Sequence, residues 1–468
     1  MSATGVRAPG ELALVLHTHM PYVEGYGTWP SGEEWLWEAV ATSYLPLLGV
    51  LAKAPLTLSL TPVLADQLEA PGIGERFLAF VRGVRRHTHE EDIAGCRAGG
   101  EHAMAAELER SLAEYEAAAA RFEEIGGDLL GALAPFASWT SSATHAVLPL
   151  LASDPGARLQ IQTGVESHRR RFGDWEGGFW LPECGYASWL DERLEEAGVR
   201  ATCLDLTDHH GLGAPEHLRP VRSAAGPLLV PVDRQSIELV WSHAGYPAHG
   251  TYRDYHHHTT HHHRVWGNDG ELYDRDAALA LARDHAADFV ARVRERVAGG
   301  GLCVCALDTE LLGHWWYEGI AWLEAVVEEA ARQGLPIASL DDALARHEPA
   351  AAPPGGLPAG TWGAPRDLST WDGPPVAELA WRARAAELRL VHAARGGGAD
   401  PAAARELLAL QSSDWAFMVS RSLAGPYPSE RADGHARAFE GALAAVGSRP
   451  PEVRHLAPDL SLAPLLSP

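Results

Sequence analysis

Positive charge is in short supply in this chain. Its 468 residues carry 38 Lys plus Arg against 62 Asp plus Glu, a formal net charge of −24 at pH 7. A surface of that sign repels nucleic acid and anionic membranes, so a neutral substrate suits it better. Cysteine is scarce too. Cys96, Cys184, Cys203, Cys303 and Cys305 are odd in number, show no C-x-x-C spacing and sit mostly in apolar runs, which excludes a disulfide-built scaffold and reads as reduced, structural thiols. No apolar stretch reaches the roughly 18 to 20 residues that a membrane span needs. Met1–Gly10 lacks the charged start, long apolar core and small-residue cleavage site of a secretory signal, so the expected location is cytoplasmic. No internal repeat is apparent.

What is present points to a large soluble globular protein. Hydrophobic residues make up 46%, and the length favours one large domain with a smaller companion. Strand-like runs alternate with helical stretches, the pattern of parallel β-strands with crossover helices. Strands are predicted at 12–17, 56–61, 134–139, 178–183, 200–205, 228–232, 237–241, 302–307 and 335–339. A mostly helical insertion is predicted near 66–128, standing outside the barrel. The Pro, Gly and Ala-rich segment 347–360 reads as a linker or surface excursion. Apolar residues at i, i+3 and i+4 then predict helices at 376–394 and 401–423. The expected organisation is an α/β barrel over 1–350 and a helical C-terminal domain over 351–468. Many of the 16 tryptophans, Trp241, Trp362, Trp371 and Trp415 among them, lie in Gly, Pro or Asp-flanked segments, where exposed indole faces suit the apolar faces of sugar rings.

Two short apolar runs end on carboxylates. Gly178-Phe179-Trp180-Leu181-Pro182 leads to Glu183, and Leu302-Cys303-Val304-Cys305-Ala306-Leu307 leads to Asp308. As buried parallel strands they bring both acids to the C-terminal rim of a barrel, where α/β enzymes keep their chemistry; the alternatives are a surface glutamate at Glu183 and a helix-capping aspartate at Asp308. Two carboxylates in one cleft are what glycoside chemistry requires. The aromatics of Gly313-His314-Trp315-Trp316-Tyr317 after Asp308 wall it from water, which raises a carboxyl pKa toward the range of a general acid. The first predicted strand ends in His17-Thr18-His19, two imidazoles facing one way. They serve equally as a metal pair or as hydrogen-bonding partners of sugar hydroxyls. Gln411-Ser412-Ser413-Asp414-Trp415 is a polar knot in an apolar helix that either binds ligand or docks the domain to the barrel. The run His256–His258 and His261–His263 reads as a mobile, solvated loop.

Taken together, these motifs resemble glycoside hydrolase family 57, and within it the 1,4-α-glucan branching enzymes. The resemblance is carried by His17-Thr18-His19-Met20-Pro21, the stretch 140–151 with His145, Trp180-Leu181-Pro182-Glu183-Cys184, the stretch 307–319, and Leu410-Gln411-Ser412-Ser413-Asp414-Trp415. It implies an incomplete (β/α)7 barrel with a helical insertion and a helical C-terminal domain. It implies Glu183 as nucleophile and Asp308 as general acid/base, with His17, His19 and His145 lining the donor subsites. Tyr246, Arg264, Gly267, Trp371, Asp414 and Trp415 are further expected glycan contacts. The resemblance implies no metal and no cofactor. The expected partner is an α-glucan, with no nucleic acid or membrane, and the expected state is a monomer or small homo-oligomer.

The chain departs from the family at one place. Branching enzymes of the family carry a lid resembling Trp-Ser-x-x-Tyr-Gly-Tyr-Pro, with a tyrosine over the catalytic centre. Here Trp241-Ser242-His243-Ala244-Gly245-Tyr246-Pro247 is one residue short and keeps one tyrosine. A lid protects a glycosyl-enzyme from water, so an α-glucan hydrolase of amylase type or a 4-α-glucanotransferase is the alternative. A metal-dependent amidohydrolase, motivated by His17-x-His19 and Asp308, is the remote one.

Overall fold

The computed structural model describes residues 10–27, 31–444 and 453–466; of the N-terminal stretch read for a leader, only Gly10 falls within it. Nine strands form one sheet: β1 (Glu11–Thr18), β2 (Thr57–Leu60), β3 (Ala137–Ser141), β4 (Gly178–Trp180), β5 (Ala201–Leu204), β6 (Val221–Arg222), β7 (Leu228–Pro231), β8 (Leu302–Asp308) and β9 (Ala350–Ala351). Their order is β8-β1-β2-β3-β4-β5-β7-β6-β9. The seven from β8 to β7 are all parallel, and β6 pairs antiparallel to β7 at the edge.

This sheet curls into the expected incomplete seven-stranded barrel. Leu12–Leu16 and Leu302–Leu307 are buried on both faces, as a central parallel strand requires. Their register sets His17 beside Asp308. At the open seam, β7 and β8 are not paired, but the N–H of Asp233 donates to the Val304 carbonyl at 2.8 Å. The Asp233 carboxylate also accepts from Arg296 at 2.8 Å, which ties down the edge.

The crossover helices include α1 (Arg86–Ala98) and α2 (His102–Glu124) of the long insertion, then α3 (Asp154–Phe172), α4 (Arg234–Val240), α5 (Arg275–Arg296) and α6 (Gly319–Gln333). The helical C-terminal region contains α7 (Ala377–Arg395), α8 (Pro401–Leu410), α9 (Ser413–Ser420) and α10 (Tyr427–Leu443). Its core of Leu390, Leu407, Leu408, Trp415 and Phe439 is shared with Tyr22, Val63, Ala143 and Leu159 of the barrel side. The helical region is therefore packed into the barrel by apolar contact and does not hang from a linker.

Four expectations need correction. The segment 237–240 lies in helix α4 and Trp241 caps its C-terminal end, so 237–241 is not a strand. Asp233 caps that helix by accepting from the Gln235 N–H, and Ile237 and Val240 form its buried face at helical spacing. The segment 335–339 makes only an isolated bridge between Ile337 and Leu12. The supposed linker contains β9, which adds an edge strand beside β6. The helix expected over 401–423 is broken at Gln411 and Ser412, because the polar knot leaves the helix axis to reach the barrel.

Candidate active site

Every strand of the parallel set points its C-terminal end at one rim, and the site is assembled there. Strand β4 stops at Trp180, and Pro182 opens a single 3-10 turn that carries Glu183. Glu183 itself is left-handed, with φ 60° and ψ 22°, and Cys184 follows at φ 49°. His145, just beyond β3, is also left-handed at φ 59°. Non-glycine residues held there cost on the order of 1–3 kcal/mol each and persist only where the surroundings over-determine them. Three such positions converge on one site. Glu183 is clamped from the other side, because the Trp362 backbone N–H donates to its carbonyl at 3.0 Å and the Trp362 indole Nε1–H donates to its carboxylate at 3.1 Å.

The histidines form a stack rather than a convergent set. The rings of His19 and His145 lie 4.0 Å apart, those of His17 and His145 4.9 Å, and those of His17 and Trp180 4.7 Å, all near parallel. Each ring nitrogen has a partner. His17 and His145 share a hydrogen bond of 2.9 Å between their Nε2 atoms, and the other nitrogens meet Ser59 (3.3 Å) and Ser413 (2.8 Å). His19 contacts Thr61 at 3.2 Å and Asp414 at 3.0 Å. Among the described residues, no group of three His, Cys, Asp or Glu side chains is arranged to hold a metal ion.

Electrostatics separate the carboxylates. Burial, and then the charge of Asp308, push Glu183 up to about 8, partly offset by the Trp362 N–H. Burial and the charge of Glu310 hold Asp308 well above its ordinary value. Glu310 is itself raised to about 8 by burial, against hydrogen bonds from Tyr44 and the His19 N–H. Burial would raise Asp414 as well, yet His19, His145 and Ser412 outweigh it and keep that group below its usual value. His17 and His145 are driven well below theirs by burial and by neighbouring imidazoles. The rim thus presents neutral imidazoles at His17 and His145, one firmly ionised carboxylate in Asp414, and three acids, Glu183, Asp308 and Glu310, that compete for protons.

Comparison with known proteins decides the family. The model described as glycosyl hydrolase family 57 matches residues 139–354, and the one described as 1,4-alpha-glucan branching enzyme, C-terminal, matches residues 393–458. The chain is 32% identical over 507 residues to the 1,4-alpha-glucan branching enzyme of Thermococcus kodakarensis, covering 92% of this chain and 73% of that one. A Mycobacterium tuberculosis protein named "Probable 1,4-alpha-glucan branching enzyme" is also 32% identical, over 510 residues, covering 95% of this chain and 94% of its own. The chain belongs to glycosyl hydrolase family 57. Among solved family 57 structures, the GH57-type branching enzyme of Pyrococcus horikoshii superposes with a TM-score of 0.88 at 28% identity, covering 98% of this chain and 97% of that one.

On this family 57 scaffold the structure gathers Glu183, Asp308, His17, His19, His145 and Asp414 at one rim. The other expected contacts separate. Trp371 is buried between Val147, Val376 and Ala416, at the wall of a small cavity of about 50 Å³ that Ser412 and Ser413 also line. Trp415 is a correction: it is 0% exposed, its indole donates to the Ala409 carbonyl at 2.8 Å, and it belongs to the core of the helical region, so it has no face for a glycan. Tyr246 donates to Asp288 at 2.7 Å and stacks on His285, which turns its hydroxyl to helix α5 rather than over the carboxylates. Arg264 lies over the Tyr255 ring and donates to the His314 carbonyl at 3.2 Å. Gly267 sits in a short bridge with Arg253. The histidine run is exposed at His256–His258, but His263 is buried against His89 with ring centroids 3.6 Å apart, and His261 pairs with Asp92 at 2.7 Å. Helix α1 thus anchors a segment expected to be mobile. Trp362 was read only as one of several tryptophans suited to sugar rings, and Glu310 only as part of the stretch 307–319; the Trp362 contact to Glu183 and the Glu310 contacts to Tyr44 and His19 escaped the sequence reading.

Proposed function

We infer that this family 57 enzyme is a 1,4-α-glucan branching enzyme. The observation that carries the reading is that the branching-type C-terminal region delivers Ser413 and Asp414 directly onto His145 and His19 beside Glu183. The relatives' names point the same way.

In this reading Glu183 is the nucleophile. The Trp362 N–H stabilises its anion, so of two neighbouring acids Glu183 surrenders the proton more readily. Asp308, raised well above its ordinary value by burial and the charge of Glu310, keeps its proton longer than a free carboxyl does and acts as general acid. Glu183 attacks the anomeric carbon of an α-1,4-linked glucose while Asp308 protonates the departing glycosidic oxygen, giving a covalent glycosyl-enzyme. Asp308, now a base, removes the proton of an incoming glucan 6-hydroxyl, whose oxygen displaces Glu183 and forms an α-1,6 branch. His17, His19 and His145 line the donor side, and burial holds the His17 and His145 imidazoles neutral, so those two do not compete for Asp308's proton.

The commitment of Tyr246 to Asp288 favours a second reading, hydrolase or 4-α-glucanotransferase, on the same two carboxylates. Incubation with amylose, followed by NMR counting of α-1,6 linkages, separates them. New branches are expected, and they vanish in Glu183→Ala and Asp308→Asn. Reducing ends that rise without branches overturn the branching assignment.

A further inference from the structure

Two indoles stand half-exposed at the mouth of the barrel beside the open seam. Trp241 ends helix α4, which follows β7, and is 39% exposed; Trp315 lies in the loop after β8 and is 41% exposed. Their rings meet edge to face, with centroids 5.7 Å apart and planes at 88°. Large apolar side chains left open in direct contact mark a binding surface more often than isolated ones do. Two perpendicular indoles form a trough with a floor and a wall, shaped for the apolar face and edge of a pyranose ring.

The trough is rigid on the Asp308 side. The Trp315 N–H donates to the Glu310 carbonyl at 3.1 Å, Trp316 N–H to Leu311 at 2.7 Å, and Gly313 N–H back to Trp316 at 2.8 Å. Gly313 takes φ +93° with the Thr42 carbonyl 1.9 Å from where a Cβ would lie, so only glycine lets this loop close against the barrel. Ser242, His243 and Ala244, which follow Trp241, are exposed and do not cover the pair.

We propose that Trp241 and Trp315 form a sugar-stacking subsite for the glucan on the leaving-group and acceptor side of the cleaved bond. This rests on the roles proposed above for Glu183 and Asp308. The acid must face the glycosidic oxygen, so sugars beyond that oxygen lie on the Asp308 flank, on the loop that carries Trp315. The histidine stack and the helical region lie on the other side of Asp308, over β1 and β3 and away from the open seam. An acceptor chain held on the indoles presents its 6-hydroxyl to Asp308 and occupies space that water otherwise fills.

The test is product analysis on amylose for wild type, Trp315→Ala, Trp241→Ala and the phenylalanine variants. Hydrolysis of α-maltosyl fluoride, whose leaving group is a single fluoride that reaches no sugar subsite beyond the cleaved bond, is measured alongside. Loss of one stacking face is expected to lower the ratio of α-1,6 linkages to new reducing ends by about tenfold. Maltosyl fluoride hydrolysis should change little, and phenylalanine should restore most of the ratio. Alanine variants with an unchanged ratio, or with maltosyl fluoride hydrolysis reduced as strongly, overturn the subsite. A wild type that makes no α-1,6 linkage at all instead overturns the branching assignment.

Discussion

Replacing Trp362 by phenylalanine isolates one hydrogen bond to Glu183. The substitution removes the indole Nε1–H that lies 3.1 Å from the carboxylate, but keeps the backbone N–H on the Glu183 carbonyl and an aromatic edge against Trp180. A hydrogen bond to a charged group is worth about 1.5–3 kcal/mol, and one pKa unit corresponds to about 1.36 kcal/mol. The side chain of Glu183 is 19% exposed, so water recovers part of the loss and a rise of about one unit is expected. The sign follows from the form stabilised: the donor favours the anion, and without it Glu183 takes up a proton at higher pH. With the Glu183 anion as the proposed nucleophile, the acidic limb of the kcat/KM profile should move upward by about one unit, with the alkaline limb held in place. The measurement is initial-rate branching or hydrolysis across pH, with Tm recorded for both proteins. An acidic limb that stays where it was, in a folded variant, refutes the idea that Trp362 sets the ionisation of Glu183.

Three further outcomes follow from the geometry. Asp414→Asn should destabilise the protein by about 1.5–3 kcal/mol near neutrality, because the His19 contact loses its charge. Asp414 is held below its ordinary 3.8, so its contribution is present above that value and disappears as pH falls through the depressed folded value; a Tm gap that does not narrow in acid contradicts it. Trp415→Ala should lower stability by about 3–5 kcal/mol by emptying the helical core, with KM for glucan in the folded fraction little changed; a selective rise in KM would return Trp415 to the cleft. His263 and His89 are pushed by burial to about 2 and about 4, so the unfolded segment binds protons below 6.5 that the folded one refuses. Amide exchange across 256–263, corrected for intrinsic rate, should therefore quicken as pH drops below 6.5, and a flat response counts against the anchoring.

The barrel was legible in sequence where burial on both faces produces continuous apolar runs, as in Leu12–Leu16 and Leu302–Leu307. Glu183 and Asp308 were legible because each terminates such a run. Ile237–Val240 misled because a short apolar stretch satisfies both periods, and the capping Asp233 was the better signal. Strands β6 and β9 are two residues each, too short to leave a pattern. Trp362 and Tyr246 were hidden for a different reason. Their roles depend on which distant carboxylate their polar atom meets, and no local spacing encodes a contact to Glu183 or Asp288.

The bonds from Ser413 to His145 and from Asp414 to His19 also impose an order in time. A nascent chain completes β8, and so possesses both rim carboxylates, well before the segment that steadies the imidazoles has been translated. The bracing of His19 and His145 therefore arrives late in synthesis, when helix α9 docks. A prematurely terminated product keeps both rim carboxylates but leaves these two imidazoles without Asp414 and Ser413.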